Sequence, residues 1–314
     1  MSGPSVFSNL PVELVRDIFE HAAHSDRATA RSLALVSSAV RHWTNPILYY
    51  TVILSSTRSL RAFADAISSK PSDFVRTRVR NLGIFTLGPI PSIHRILSAC
   101  AGAQNVACGF PLPAYKLSQG DSALQGLTHP REQHLLGVAC RDGWDASLVN
   151  RTVTHLRIQL PSFDSSRPDR PFAFSDGAGP ESGWDRLEAL PALTHLAVVY
   201  RPTGAVPPAA IVPHLAGLLP SSLSPKGEGG LPALQLILVQ VVGARKDASF
   251  AAEAVAALNA AAVSASRRAL RIVAEHAPLS VVRQWEDAVK GGQSMWESAE
   301  AVVRSRLANA SQGK

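Results

Sequence analysis

Two stretches of this chain spell nearly the same thing. "VTHLRIQLP" (153–161) and "LTHLAVVYRP" (193–202) share a Thr-His-Leu core, continue with alternating apolar residues, and end polar or in proline. Both fit apolar-x-x-Leu-x-apolar, in which every second side chain falls on one face, as in a strand. The pattern returns in "VRNLGI" at 79–84, in "LPALQL" at 231–236 and, with Arg267 in the first slot, in "RRALRI" at 267–272. The middle leucines are Leu82, Leu156, Leu196, Leu234 and Leu270. Two weaker matches, "NVACGF" near 106 and "HLLGVA" near 136, divide the long gap after Leu82. Copies of one strand are expected to lie side by side, because a single unit cannot bury its apolar face alone.

Helical stretches stand between them: "SIHRILSACAG", "WDRLEAL", "AAIVPHLAGLL" and "FAAEAVAALNAAAVSA" each precede a strand candidate. Strand, connection, helix, strand is the order that favours a parallel sheet, so the fold class is α/β. The array resembles a leucine-rich repeat, though irregularly. Steps of 40, 38 and 36 residues separate the last four leucines, longer than the ~20–29 of that family. Proline- and glycine-rich insertions at 161–183, 202–208 and 220–232 account for the excess. The stretch 161–183 is expected to be irregular and exposed. The asparagine that follows the strand core in such repeats is missing; Leu87, Pro161, Arg201 and Val239 take its place. A non-repetitive α/β domain is the plainer alternative.

The N-terminus carries a different signal. In "SNLPVELVRDIFEHA" (8–22), Leu10, Leu14 and Ile18 recur at helical spacing, Val15 and Phe19 widen the apolar face, and Pro11 suits the first turn. Asp26 is an N-cap candidate for a second helix through "RATARSLALVSSAVRHW", which Pro46 is expected to interrupt before "ILYYTVIL". "LPVEL" and "IF", then "LALVSSAVRHW", then "NPILYY", resemble an F-box of the fungal kind over residues 8 to 50. The resemblance implies a module that docks on a Skp-type adaptor and links a target-binding region to a cullin–RING ubiquitin ligase. Leu10, Pro11, Leu14 and Ile18 would face the adaptor, with Val36 supporting them. An ordinary helical cap on the following domain is the plainer alternative.

Residues 1–54 are therefore read as the helical module and 55–77 as a linker helix, with Leu60, Phe63, Ala64 and Ile67 on one face and Pro71 ending it. Residues 78–276 form the repeat-like target-binding domain. Residues 277–314 hold two amphipathic helices broken at Gly291–Gly292, suited to capping the array, and a frayed tail.

Composition narrows the functions. A 46% hydrophobic content suffices for a core, and 18% charged residues are too few for a disordered chain. The net charge of +7 is spread in small groups such as Arg76, Arg78 and Arg80, without interleaved aromatics, so no nucleic-acid partner is expected. Cys100, Cys108 and Cys140 fit no C-x-x-C pattern and suit reduced thiols in the cytoplasm or nucleus. The opening residues lack the charged and apolar regions of a signal peptide, so none is expected, and no apolar run reaches the roughly 18 residues of a membrane span. Neither a G-x-S-x-G elbow nor a P-loop is spelled. His21 and His24 could share a metal ion but have no third ligand at suitable spacing. Catalytic residues, cofactors and metals are thus expected to be none. The combined expectation is a non-enzymatic adaptor for an unknown target. An interaction scaffold without a ubiquitin connection and an α/β enzyme with dispersed catalytic residues stand as its rivals.

Overall fold

A computed structural model describes residues 10–120, 122–140, 146–160, 187, 189–202, 206–220, 231–243 and 248–312. The stretch 161–183 and the glycine-rich residues 224–230 lie outside these, as do Asp185 and Glu188 of "WDRLEAL".

The chain starts with helices α1 (Val12–Ser25), α2 (Arg27–Leu33) and α3 (Ser38–Tyr50). Pro11 stands at the N-cap of α1 rather than inside its first turn, and its carbonyl accepts from the Leu14 and Val15 N–H groups. Asp26 caps α2 as expected, its carboxylate accepting from the backbone N–H of Ala28 (2.6 Å) and Thr29 (3.0 Å). The single long second helix is corrected. It breaks at residues 34–37, because Ser37 supplies a fresh cap by accepting from the Val40 N–H. Nor does Pro46 interrupt α3, which runs through it. Val40 and Thr44 are buried in the preceding turn, and Thr44 Oγ1 donates to the Val40 carbonyl at 2.9 Å.

Then come β1 (Thr51–Leu54), α4 (Thr57–Ser68), α5 (Ser72–Arg78), β2 (Asn81–Ile84), α6 (Ile90–Ala99), β3 (Asn105–Cys108), α7 (Leu112–Gln119), α8 (Ser122–Gln125) and β4 (Glu132–Leu135). They are followed by β5 (His155–Gln159), β6 (His195–Tyr200), α9 (Val212–Leu218), β7 (Leu236–Val241), α10 (Ala248–Ala265), β8 (Ile272–His276), α11 (Val281–Val289) and α12 (Met295–Gln312). The eight strands form one sheet in the order of the sequence, and every neighbouring pair is parallel.

Register aligns Val52, Leu82, Val106, Gln133, Leu156, Leu196, Ile237 and Ile272 in one row across all eight strands. The strand cores expected at Leu82, Leu156 and Leu196 fall in that row. The last two do not: Leu234 and Leu270 lie before their strands, Leu270 within a 3-10 turn (Ala269–Arg271). Both segments offer apolar residues in more than one frame, and pairing with β6 and β7 selects Ile237 and Ile272. The candidate near 136 is likewise shifted, since β4 ends at Leu135. Strand β1 was not anticipated.

The row and its second neighbours (Ile84, Cys108, Leu135, Ile158, Val198, Val239) point to one side of the sheet and pack against the intervening helices. Leu60, Ala64 and Ile67 of α4, Ile93, Ile96 and Leu97 of α6, and Leu258 and Ala262 of α10 fill that layer. Burial of so many branched side chains, each contributing about 1.5–3 kcal/mol, dominates the stability. Gln133 is the polar exception in the row. Fully buried, its Nε2 donates to the Leu148 carbonyl at 2.9 Å and its Oε1 accepts from the Asn150 N–H. Asn150 Nδ2 in turn donates to the carbonyls of Gln125 (2.9 Å) and Leu127 (3.0 Å), closing the turn before β5.

Helices α11 and α12 depart from the end-capping role. Arg306 of α12 does reach the last strand, donating to the Ile272 carbonyl. Yet Trp285 of α11 meets Phe85 beside β2 at 5.6 Å, and Trp296 of α12 bonds Glu132 on β4. The pair runs back across the open face of the sheet and buries both tryptophans there, Trp285 and Trp296. Among the described residues no helix is long and apolar enough to cross a membrane.

Candidate functional site

Two regions stand out. The first is the outer side of the helical module. Val15, Phe19 and Ala23 turn α1 inward, with the Phe19 ring 6.4 Å from Trp43. On the other side Leu10 is 38% exposed, Leu14 50% and Ile18 49%, and Val12 and Pro11 are exposed as well. Val36, 61% exposed, lies in the turn between α2 and α3 next to exposed Leu35, not on a helix. All five residues expected to face a partner are therefore open, four at the start and outer side of α1 and one in a turn. A run of open aliphatic side chains is costly in water. Two clefts, of about 600 and 640 Å³, flank this module, the second lined by Arg16, His24, His42, Arg78 and Arg80.

The second region is the sheet face beneath α11 and α12. Its first row runs Thr51, Asn81, Asn105, Glu132, His155, His195. Asn81 Nδ2 donates to Thr51 Oγ1 at 2.9 Å and Asn105 Nδ2 to Asn81 Oδ1 at 2.7 Å. His155 and His195 stack 4.3 Å apart, with the Trp296 ring set edge-on to both. The second row places His134, Arg157 and Ala197 side by side.

Electrostatics there are unusual. Burial, then the neighbouring His195, presses His155 down to about 4, and burial also lowers His195 against the pull of Glu300. Burial alone would push Glu132 up, but His134, the Trp296 N–H and His155 hold its carboxyl down to about 2. Trp296 Nε1 donates to Glu132 Oε1 at 2.8 Å, and the same oxygen contacts His134 Nε2. Arg157 is fully buried and burial lowers it to about 10; among the described residues none of its three side-chain nitrogens has a hydrogen-bond partner. His134 Nδ1 and Gln240 Oε1 are likewise buried without partners.

His21 and His24 are exposed, and among the described residues no three His, Cys, Asp or Glu side chains gather as a metal site. The three cysteines are buried, their thiols pushed up to about 12, which keeps them unreactive. Sequence reasoning placed His155 and His195 in one repeat slot but missed Glu132, Arg157 and Gln240. The available signal was a charged residue two positions after a strand-core residue's polar neighbour, as in "HLRI", where "HLAV" has alanine. No protein-family model matches the chain, and no curated protein matches its sequence.

Proposed function

We propose that the chain is a substrate-recognition adaptor of an SCF-type ubiquitin ligase. Its F-box-like helices bind a Skp-type adaptor and its leucine-rich-repeat-like array recruits an unknown target protein. The observation that carries this reading is the open aliphatic stripe Leu10, Leu14 and Ile18, which follows the "LPVEL" motif on α1 while the opposite side of the helix is packed. The parallel, sequence-ordered strands separated by helices support the repeat half of the reading. No bond chemistry is assigned to the chain: it holds a target near a ubiquitin-charged enzyme and raises effective concentration. The charged cluster under α12 holds the converging, perturbed groups an enzyme would need, but neither cleft beside the helical module reaches it, and Glu132, His134, His155, Arg157 and His195 include no serine or cysteine nucleophile.

Leu14→Ala tests this directly. An anchor leucine at a hot spot contributes about 2 kcal/mol, or roughly thirtyfold in affinity. The substitution is expected to weaken binding to a Skp-type adaptor by about that factor, measured by calorimetry, with the thermal midpoint nearly unchanged because the side chain is open. Were the wild-type chain to bind no adaptor while the variant melted early, α1 would be a structural cap and the F-box assignment wrong.

A further inference from the structure

Helix α12 lies in a shallow trough of Ala197, Leu236, Leu238 and Val273, into which Met295, Trp296, Ala299 and Val303 pack from one side of the helix. These four follow helical spacing, so the trough has the shape of a helix-binding groove. The fit is complete for apolar groups and incomplete for polar ones. Trp296 satisfies Glu132 and Glu300 approaches His195 at 3.1 Å, yet nothing reaches the guanidinium of Arg157. The two carboxylates whose fields favour it are engaged elsewhere: Glu132 with His134 and Trp296, Glu275 with Gln240 Nε2 at 2.6 Å. A buried cation left without hydrogen bonds is costly, and a carboxylate brought to it would satisfy it. Gly291, at φ +89°, and Gly292 close the end of α11, their N–H groups donating to the Ala288 and Asp287 carbonyls, so that α12 starts as a separate helix.

We propose that the sheet face over β4 to β8 is a binding site for an amphipathic helical segment of a partner protein, carrying a carboxylate on its apolar side to meet Arg157, and that α12 is the resident occupant this segment displaces. The assignment rests on the target-recruiting reading for where the partner comes from. Its test involves no ubiquitin adaptor, so either can fail with the other intact.

The probe is a fluorescent peptide of residues 293–312 and the same peptide with Ala299→Glu, since Ala299 is the smallest side chain on the buried side of α12 and a longer one there points at the sheet. Full-length chain with Trp296→Ala, which loosens the resident helix, should bind the unaltered peptide about tenfold tighter than wild type by relieving intramolecular competition. The Ala299→Glu peptide should bind that chain about tenfold tighter again, the scale of one charge-assisted hydrogen bond. Adding Arg157→Met to the chain should abolish the second gain. If the glutamate brings no gain, or its gain survives Arg157→Met, the proposal is overturned. Should Trp296→Ala fail to fold, Glu300→Ala loosens α12 more gently and the same comparisons apply. Hydrogen exchange in wild type gives an independent reading: α12 should open at a lower cost than α10, and α12 protected to the level of global unfolding also overturns the proposal.

Discussion

His155 and His195 lie face to face because Thr-His-Leu recurs in register on β5 and β6. Each preceding threonine hydroxyl sits 2.8 Å from its histidine Nδ1. The groups facing this pair are Glu132, His134 and Arg131 from the β4 side and Trp296 and Glu300 from α12. Both imidazoles are harder to protonate in the fold than in the unfolded chain, so acid drives protons onto the unfolded state first. Stability that is present above the ordinary value of 6.5 is lost as pH falls toward about 4. Glu132 acts in a lower window, its contribution disappearing between the ordinary 4.5 and about 2. The thermal midpoint is therefore expected to fall between pH 7.5 and 5, before Glu132 titrates, and His155→Asn should flatten that slope. A midpoint independent of pH over this range would contradict the burial of the pair.

At the level of elements, α11 is seated by a glycine. A Cβ added to Gly83 on β2 would stand 2.5 Å from the Phe85 ring and 2.9 Å from Trp285. The flat spot on the strand is what lets Trp285 lie against the sheet, 2% exposed. Both clashing atoms belong to side chains that can move, so Gly83→Ala should be accommodated by lifting α11, at about 1–3 kcal/mol, the range for overpacking. Faster amide exchange in α11 with unchanged protection of β2 and β3 is the expected outcome. Equal loss of protection in the strands would mean that the helix and sheet open together.

Across the whole molecule, strands β1 to β8 touch in sequence order, an arrangement whose stability is a sum of neighbour contacts that can come apart piecewise. The return of α11 and α12 across the face changes that. Phe85 with Trp285, Glu132 with Trp296, and Gln240 with Met295 tie β2, β4 and β7 to one C-terminal segment. Urea unfolding of the intact chain is expected as one transition by circular dichroism, and the double variant Trp285→Ala, Trp296→Ala as two. A single transition in the double variant would show that the strand contacts alone suffice for cooperativity.

The residues alone determine that strands near Leu82, Leu156 and Leu196 share one pattern, that helices separate them, and that α1 has more aliphatic residues than one packed side can hide. These follow from periodicity and local capping, which act over a few residues. The frame of β7 and β8 was decided by the register of their neighbours, since "LPALQLILVQV" is apolar at adjacent positions and a strand alone cannot choose. The break at residues 34–37 follows from the local cap at Ser37, whereas α3 passes through Pro46 with Val40 and Thr44 buried in the turn before it. The covered face was also beyond the sequence: Trp296 and Glu132 stand 164 residues apart, and only folding brings together groups whose meeting depends on how far the sheet lets α12 return.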